Sequence, residues 1–292
     1  MQSPPIVAIM TAMEITRPSE LLRQTLVGRV RAVFNDTENG EQPVPPSDEA
    51  LFERDSPIRL VHADAVSMMI GGIRSLLLQM LHPHALQGVL DHSNFREDMH
   101  GRLRRTAKFI AITTFGHHDE AEKMISRVNR IHEQVHGSLP DGTRYSARDP
   151  ETLAWVHAAE ATSFLEAYLR YVRPSMPLAE QDRYYAQFAI IARKLGADPV
   201  PQTRVEAEQL MRHFRTQLRS SAEAKEIARL VLTQKPDNAP PAIQKILGTT
   251  AVQMLQPFAR NMLDLRHPGL AYVPARIGAK TIGKTLRWAF QQ

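Results

Sequence analysis

Residues 66–81 read VSMMIGGIRSLLLQML, the most apolar stretch of the chain. At sixteen residues, and with Arg74 and Gln79 inside it, the stretch falls short of the ~20 apolar residues that a membrane-spanning helix needs. Pro83 follows closely and ends or kinks a helix. The stretch therefore predicts a buried helix inside a folded domain.

The sequence on both sides of this stretch also shows helical periodicity, interrupted by Gly and Pro. Only residues 144–146 hint at an extended segment, and no long strand alternation occurs. The chain contains no G-x-G-x-x-G, no P-loop and no G-x-S-x-G, which argues against dinucleotide-binding, NTPase and hydrolase folds. We predict an all-α fold built as a single multi-helix domain. The predicted helices cover residues 18–34, 59–81, 83–91, 98–115, 119–136, 150–172, 178–195, 203–219, 222–234, 240–265 and 276–290.

The composition limits the chemistry. The chain has no cysteine, which excludes disulfides, thiolate nucleophiles, iron–sulfur clusters and thiolate-bound haem. Any metal must then be held by oxygen ligands or by some of the twelve histidines. The formal net charge of +5 is modest, and no nucleic-acid-binding motif accompanies it, so we expect no nucleic-acid partner.

Three segments are predicted along the chain. Residues 1–57 form an N-terminal helix and a Pro-rich linker, residues 58–275 form the main domain, and residues 276–292 form a basic amphipathic helix. The last segment is interpreted first as a terminal helix packed on its own domain, with weak contact to a membrane surface as the alternative. Residues 1–14 carry no early Lys or Arg, so no secretory signal is predicted and we expect a cytoplasmic protein.

His132 is a candidate ligand. At about 100° per residue it falls inside the apolar stripe of the predicted helix 119–136, between Ile125, Val128 and Val135. From periodicity alone, the plainer interpretation is a core histidine bonded to a carbonyl or carboxylate, and the alternative is a haem or metal ligand. His136 lies at the margin of the same stripe.

His157 competes with His132. It shares a helix face with Leu153, Phe164 and Tyr168, so it is also expected to point inward, and Glu160 lies one turn on as a proton acceptor. Periodicity does not choose between the two histidines.

Arg102, Arg105 and Thr106 form a dense group of hydrogen-bond donors near the start of the predicted helix 98–115. The plainer interpretation is a solvated basic face. The functional one is a set of donors aimed at haem propionates or at iron-bound oxygen. A site that holds a metal by protein side chains alone is poorly supported, because His82 and His84 flank a proline and no H-E-x-x-H occurs.

The order and spacing of several short motifs resemble the catalytic domain of the MpaB and rubber-oxygenase (latex-clearing) family. The resemblance is strong over about residues 55–200 and weaker to about 270. The motifs are Gly71–Gln79 with His82-Pro83, His92–Arg96, Gly101–Thr106, Phe115-Gly116, Val128–Gly137, Tyr145–Pro150, Trp155–Ala158 and Arg183–Tyr185.

This resemblance implies a globin-like helical core around one haem b, with a single proximal histidine. His132 stands at the position of that histidine, before Val-x-Gly, with His157 and His136 as the fallbacks. Arg102 and Thr106 match the family's Arg-x-x-x-Thr pattern. The sequence departs from the family pattern at Arg105, which replaces a lysine that approaches the iron in the latex-clearing branch. An Arg stays charged and cannot act as a neutral ligand. The branch's distal acid has only Asp91, Glu97 and Asp98 as candidates by proximity.

The resemblance further implies dioxygen-dependent cleavage of carbon–carbon double bonds in isoprenoid chains at ferrous haem. Because export is not predicted, rubber is not the expected substrate, and an unsaturated isoprenoid or lipid-like small molecule is. The alternatives are a haem-binding or sensing protein without turnover and a helical scaffold without haem. An apolar tunnel is expected from six residues that are otherwise plain core: Met68, Met69, Leu76, Leu77, Leu81 and Phe109.

Overall fold

The computed structural model describes residues 18–35, 40–233 and 241–290, so the N-terminal residues 1–17 and the tips of two predicted helices (234 and 240) lie outside the described residues. Helices dominate these ranges and the predicted all-α class is confirmed. The α-helices are α1 Pro18–Phe34, α2 Pro57–Ala63, α3 Ala65–Gln79, α4 Pro83–His92, α5 Met99–Phe115, α6 His118–Gln134, α7 Pro150–Tyr171, α8 Leu178–Lys194, α9 Arg204–Phe214, α10 Ala222–Thr233, α11 Pro241–Met254, α12 Pro257–Met262 and α13 Tyr272–Phe290.

The centre of the fold is the packing of α3 along α7. Gly71 permits the close approach, because a Cβ there would lie 2.9 Å from both the Ser163 carbonyl oxygen and Phe164 Cδ1. Arg74, only 2% exposed, donates to the Met254 carbonyl at 3.1 Å and to Ser163 Oγ at 3.1 Å, and it forms an ion pair with Glu166. The apolar stretch of the sequence is therefore a buried central helix whose one charge is fully partnered.

The predicted single helix over 59–81 is wrong at one residue. Asp64 has extended backbone angles, and its Oδ1 accepts a 2.8 Å hydrogen bond from the Ser67 amide, so it caps α3. Helices α2 and α3 consequently meet at 90°. A capping aspartate satisfies amides that have no partner at a helix start, which makes a break inside an apolar run favourable.

A short β-hairpin follows α6. The helix ends at Gln134, and His136–Ser138 form strand β1, which pairs antiparallel with β2, Arg144–Ser146. The extended hint at 144–146 is confirmed, but His136 lies on a strand and not on the helix margin. Ile131, which precedes His132 on α6, is 52% exposed.

The C-terminal half contains two further differences. The predicted helix 240–265 is divided into α11 and α12, with Pro257 at the first position of α12, where a proline has no amide to lose. Helix α13 begins at Tyr272 and packs on α1, α3 and α11 through Ala275, Ala279, Gly283 and Leu286. No single described helix is both long enough and apolar enough to cross a membrane; α2 and α3 meet that standard only when taken together across their bend.

Candidate functional site

Helices α5 and α6 form the frame of the candidate site. Only Gly116 and His117 join them, and the two helices are in contact. Arg102 lies fourteen residues before Gly116 and His132 lies fifteen residues after His117. Each residue therefore lies near the end of its helix that is remote from the connection, about 20 Å along the helix axis at a rise of ~1.5 Å per residue.

His132 is half-buried, and its Nδ1 is buried without a hydrogen-bond partner among the described residues. Burial lowers the pKa of His132, so the ring is neutral at pH 7. A buried ring nitrogen without a partner is costly unless something binds the ring. A neutral imidazole of this kind fits the proximal ligand of a haem iron.

Arg102 is half-buried and is bonded to the residue that ends α4. Its Nη1 donates to Ser93 Oγ at 2.8 Å, and its guanidinium carbon lies 6.0 Å from the centre of the Phe95 ring. Burial, and to a lesser extent the charge of Arg105, lowers the pKa of Arg102 to about 10, so the group remains charged at neutral pH. No carboxylate in residues 18–35, 40–233 or 241–290 forms an ion pair with it, which leaves donors for an anionic ligand.

Arg105 and Thr106 are both exposed. Arg105 forms a 3.3 Å ion pair with Asp98, whose carboxylate also caps α5 by accepting from the Gly101 amide. Thr106 Oγ1 donates to the Arg102 carbonyl at 3.2 Å. The three donors are therefore not aimed at one point: Arg102 turns inward, whereas Arg105 and Thr106 make local bonds at the surface.

The end of α4 contacts both Arg102 on α5 and the hairpin that follows α6. His92 Nε2 lies 3.1 Å from the His136 carbonyl, next to Ser93, which accepts from Arg102. Asp91, a candidate distal acid, accepts a 2.5 Å bond from the Tyr145 hydroxyl. Burial, with this hydrogen bond, raises the pKa of Tyr145 to about 12, so the phenol keeps its proton. This Asp91–Tyr145–His92 network is not visible in the sequence, because only the β1–β2 hairpin brings position 145 to α4.

An open groove of about 640 Å³ lies beside this network. It contains the fallback ligand His136 but not His132, Arg102 or His157. Its lining residues are His84, His136, Gly137, Ser138, Arg144, Tyr145, Ser146 and Asp149.

His157 lies deep in the interior. It is 6% exposed, its Nε2 has no partner among the described residues, and its ring centre is 4.7 Å from that of Phe188. Burial, with a smaller effect from the charge of Arg193, lowers the pKa of His157 to about 3. The expected acceptor Glu160 is instead in contact with Gln79, whose Nε2 donates to Oε1 at 3.5 Å.

A second buried histidine, His62, was missed by the sequence analysis. Its Nδ1 lies 2.9 Å from Thr114 Oγ1 and its Nε2 lies 3.4 Å from the Tyr184 hydroxyl, and its ring packs on Phe188. The signal for its burial was its place beside Ile58 and Val61 on a short helix. His157 and His62 thus both pack on Phe188 in the interior, whereas His132 is half-exposed, which favours His132 as the residue open to a ligand.

Glu49, His117 and His118 bring three possible metal ligands within 4.8 Å of one another near the start of α6. His117 Nδ1 accepts from the Asp119 amide at 3.2 Å, so the neutral ring carries its proton on Nε2, which donates to Glu49 Oε2 at 3.0 Å. A metal bound at Nε2 would displace that proton. A neutral ring would then carry its proton on Nδ1, which could no longer accept from the Asp119 amide. We interpret the three side chains as a structural contact that holds residues 47–50 against the start of α6.

The six residues expected to line a tunnel divide among three core clusters, as plain core residues do. Leu76, Leu77 and Leu81 belong to one cluster. Met68 and Phe109 pack against a second, and Met69 packs against a third.

Fold and site together define a predominantly helical protein with neutral buried imidazoles and, among the residues that the structure describes, no carboxylate paired with Arg102. The family model for the catalytic domain of ER-bound oxygenase mpaB/B′ and rubber oxygenase matches residues 59–288, which are 230 of the 292 residues. The chain belongs to this family, and the resemblance drawn from the motifs is confirmed. Membership supports oxygenase activity in general. No curated protein and no solved structure matches the chain significantly.

Proposed function

We propose that this chain is a haem-b-dependent oxygenase that uses dioxygen on an unsaturated isoprenoid or lipid-like small molecule in the cytoplasm. The family supports the oxygenase class. The observation that carries the cofactor is the half-buried His132 ring: Nδ1 is enclosed by protein, and Nε2 forms no hydrogen bond in the described parts of the chain and is left to face an iron. When bound, haem b supplies an iron at which dioxygen is activated.

His132 would hold the iron through one ring nitrogen. Its lowered pKa favours this role, because only the neutral imidazole has a free lone pair for a metal. The half-exposed position leaves the ring accessible, unlike the ring of His157, which is only 6% exposed and packs on Phe188.

Arg102 would bind the propionates. A half-buried guanidinium without a carboxylate partner is stabilised by an anionic ligand, and planar N–H donors match a carboxylate well. Arg105 already has Asp98 as its partner, so it would contribute less. We assign Thr106 to the positioning of Arg102, because its hydroxyl bonds the Arg102 carbonyl.

The cofactor is tested by the absorption spectrum of protein purified from haem-replete cells. We expect a Soret band that is lost in His132→Ala and retained in His136→Ala. Arg102→Leu should weaken haem retention by at least about tenfold, whereas the matched change Arg105→Leu should have little effect, since one charged hydrogen bond is worth ~1.5–3 kcal/mol. A colourless wild-type protein, or a Soret band that survives in His132→Ala, would contradict the assignment.

The reaction is tested by oxygen uptake with squalene, which has isoprenoid double bonds, and with squalane, its saturated counterpart. We expect uptake with squalene alone, and loss of that uptake in His132→Ala. A haem-bound protein that consumes no oxygen with any unsaturated chain would instead identify a haem-binding or sensing protein without turnover.

A further inference from the structure

Helix α13 presents a stripe to solvent that mixes apolar and basic side chains. Val273, Ile277, Lys280, Lys284 and Trp288 are all exposed, and at about 100° per residue they fall within an arc of about 80°. Ile277 is 60% exposed and Trp288 is 44% exposed. We call these five residues the α13 stripe. Large apolar side chains on one exposed line are typical of an interaction surface.

Leu270 extends the apolar part of this surface. It lies in the 3₁₀ turn Gly269–Ala271 directly before α13 and is 90% exposed. The opposite face of α13 is occupied by the domain itself, since Ala275, Ala279 and Leu286 are buried. The helix is therefore anchored by these buried residues, while Ile277 and Trp288 face outward.

The net charge of the protein is concentrated in the same segment. Residues 265–292 contain five Lys and Arg residues and no Asp or Glu. Since the whole chain has 36 basic and 31 acidic residues, the remaining 264 residues are formally neutral. The excess of +5 is thus a local property of the α13 region.

These cations are largely free of internal partners. Arg287 pairs with Asp64 at 2.6 Å. By contrast, Arg276, Lys280 and Lys284 are exposed and form no ion pair in the part of the chain that the structure describes. Their positive charges are therefore available to an anionic partner that binds the α13 stripe.

We propose that the α13 stripe binds the surface of an anionic phospholipid bilayer. The basic side chains match lipid phosphates, and Leu270, Val273, Ile277 and Trp288 provide the apolar contacts that an interfacial helix buries at the headgroup boundary. A second copy of the chain fits poorly, because two such faces would oppose like charges. Nucleic acid fits poorly as well, because its charged backbone would not remove the apolar side chains of the stripe from water.

Binding is tested by co-sedimentation with vesicles of equal parts phosphatidylcholine and phosphatidylglycerol, and with vesicles of phosphatidylcholine alone. We expect binding to the anionic vesicles that is lost at about 1 M salt, where the Debye length falls to about 3 Å. Lys280→Glu with Lys284→Glu should reduce partitioning at least ~25-fold, since each cation near an anionic surface contributes roughly fivefold. Arg212→Glu with Arg229→Glu makes the same charge change on exposed positions of α9 and α10 and should leave binding within about twofold.

Tryptophan fluorescence reports which surface is in contact. The chain has two tryptophans, and Trp155 is fully buried, so only Trp288 should shift to shorter wavelength and lose iodide quenching when vesicles are added. Trp288→Phe should abolish the shift while most binding remains.

Several results would overturn the proposal: equal binding to neutral and anionic vesicles, equal losses in the two double variants, or no shift of Trp288. A chain that dimerises in sedimentation equilibrium and becomes monomeric in Ile277→Ser would assign the stripe to a second copy instead. Vesicle binding is measured without turnover, so its failure is distinct from failure of the proposed oxygenase.

Discussion

Asp64 Oδ2 accepts a 2.6 Å hydrogen bond from Arg287 Nη1 while Asp64 Oδ1 caps the amide of Ser67. The Asp64 side chain is 8% exposed. One carboxylate therefore sets the bend between α2 and α3 and also ties α13 to it. Residues 223 positions apart in the sequence are joined at the point where the central helix begins.

We expect Asp64→Ala to lower the free energy of unfolding by ~2 kcal/mol, of which ~1 kcal/mol is the lost cap. The rest comes from the loss of the ion pair, a modest contribution because Arg287 is one-third exposed. Urea denaturation measures the change. Asp64→Asn keeps a capping oxygen and should cost about half as much. Equal losses in the two variants would show that the cap contributes nothing.

Gly71 and Gly72 are neighbours on α3 with opposite expected responses to alanine. At Gly71 the new Cβ would lie 2.9 Å from the Ser163 carbonyl oxygen, a backbone atom that cannot move aside, so we expect a loss of ~1–3 kcal/mol. At Gly72 the nearest atom is 3.9 Å away, and alanine in mid-helix should gain ~0.5–1 kcal/mol. Urea midpoints of the two variants give the comparison. A change of the same sign in both would refute close α3–α7 packing as the cause.

Helices limited by local signals were predicted well from the sequence. Helix α7 was expected at 150–172 and occurs at Pro150–Tyr171, because Asp149 and Pro150 mark its start. Local signals failed where one side chain overrules periodicity. The helical pattern continues across residue 64, yet Asp64 divides it by capping α3, with tertiary support from Arg287.

Helical periodicity predicted which residues of the candidate site face inward, but not which partners their side chains bind. It indicated that His132 and His157 face inward, and both have buried ring nitrogens without partners among the described residues. It did not show that Arg102 turns inward while Arg105 pairs with Asp98, because that difference depends on Ser93 and Phe95 from the preceding loop. Contacts between distant segments are absent from a helical-wheel argument.

His62 provides a prediction about pH. Burial lowers the pKa of His62 to about 3, from an ordinary value of 6.5, so the folded chain keeps this ring neutral where the unfolded chain would protonate it. Between pH 6.5 and about 3 the unfolded state thus binds one more proton at this position. The free energy of unfolding is therefore lost as the pH falls, by ~1.4 kcal/mol per pH unit for this group, and is unaffected by it above pH 7.

The measurement is urea unfolding of wild type and His62→Gln from pH 7.5 to pH 4.5. At pH 7.5 the variant should be less stable, because it disturbs the bonds to Thr114 and Tyr184. As the pH falls, the difference should shrink by ~1.4 kcal/mol per unit below pH 6.5, since glutamine has no proton to gain. His213→Gln, on the exposed end of α9, serves as the control and should leave the slope close to that of wild type. If His62→Gln stays parallel to wild type across the whole range, His62 is not held neutral by burial, and the aromatic cluster around it must be open to water.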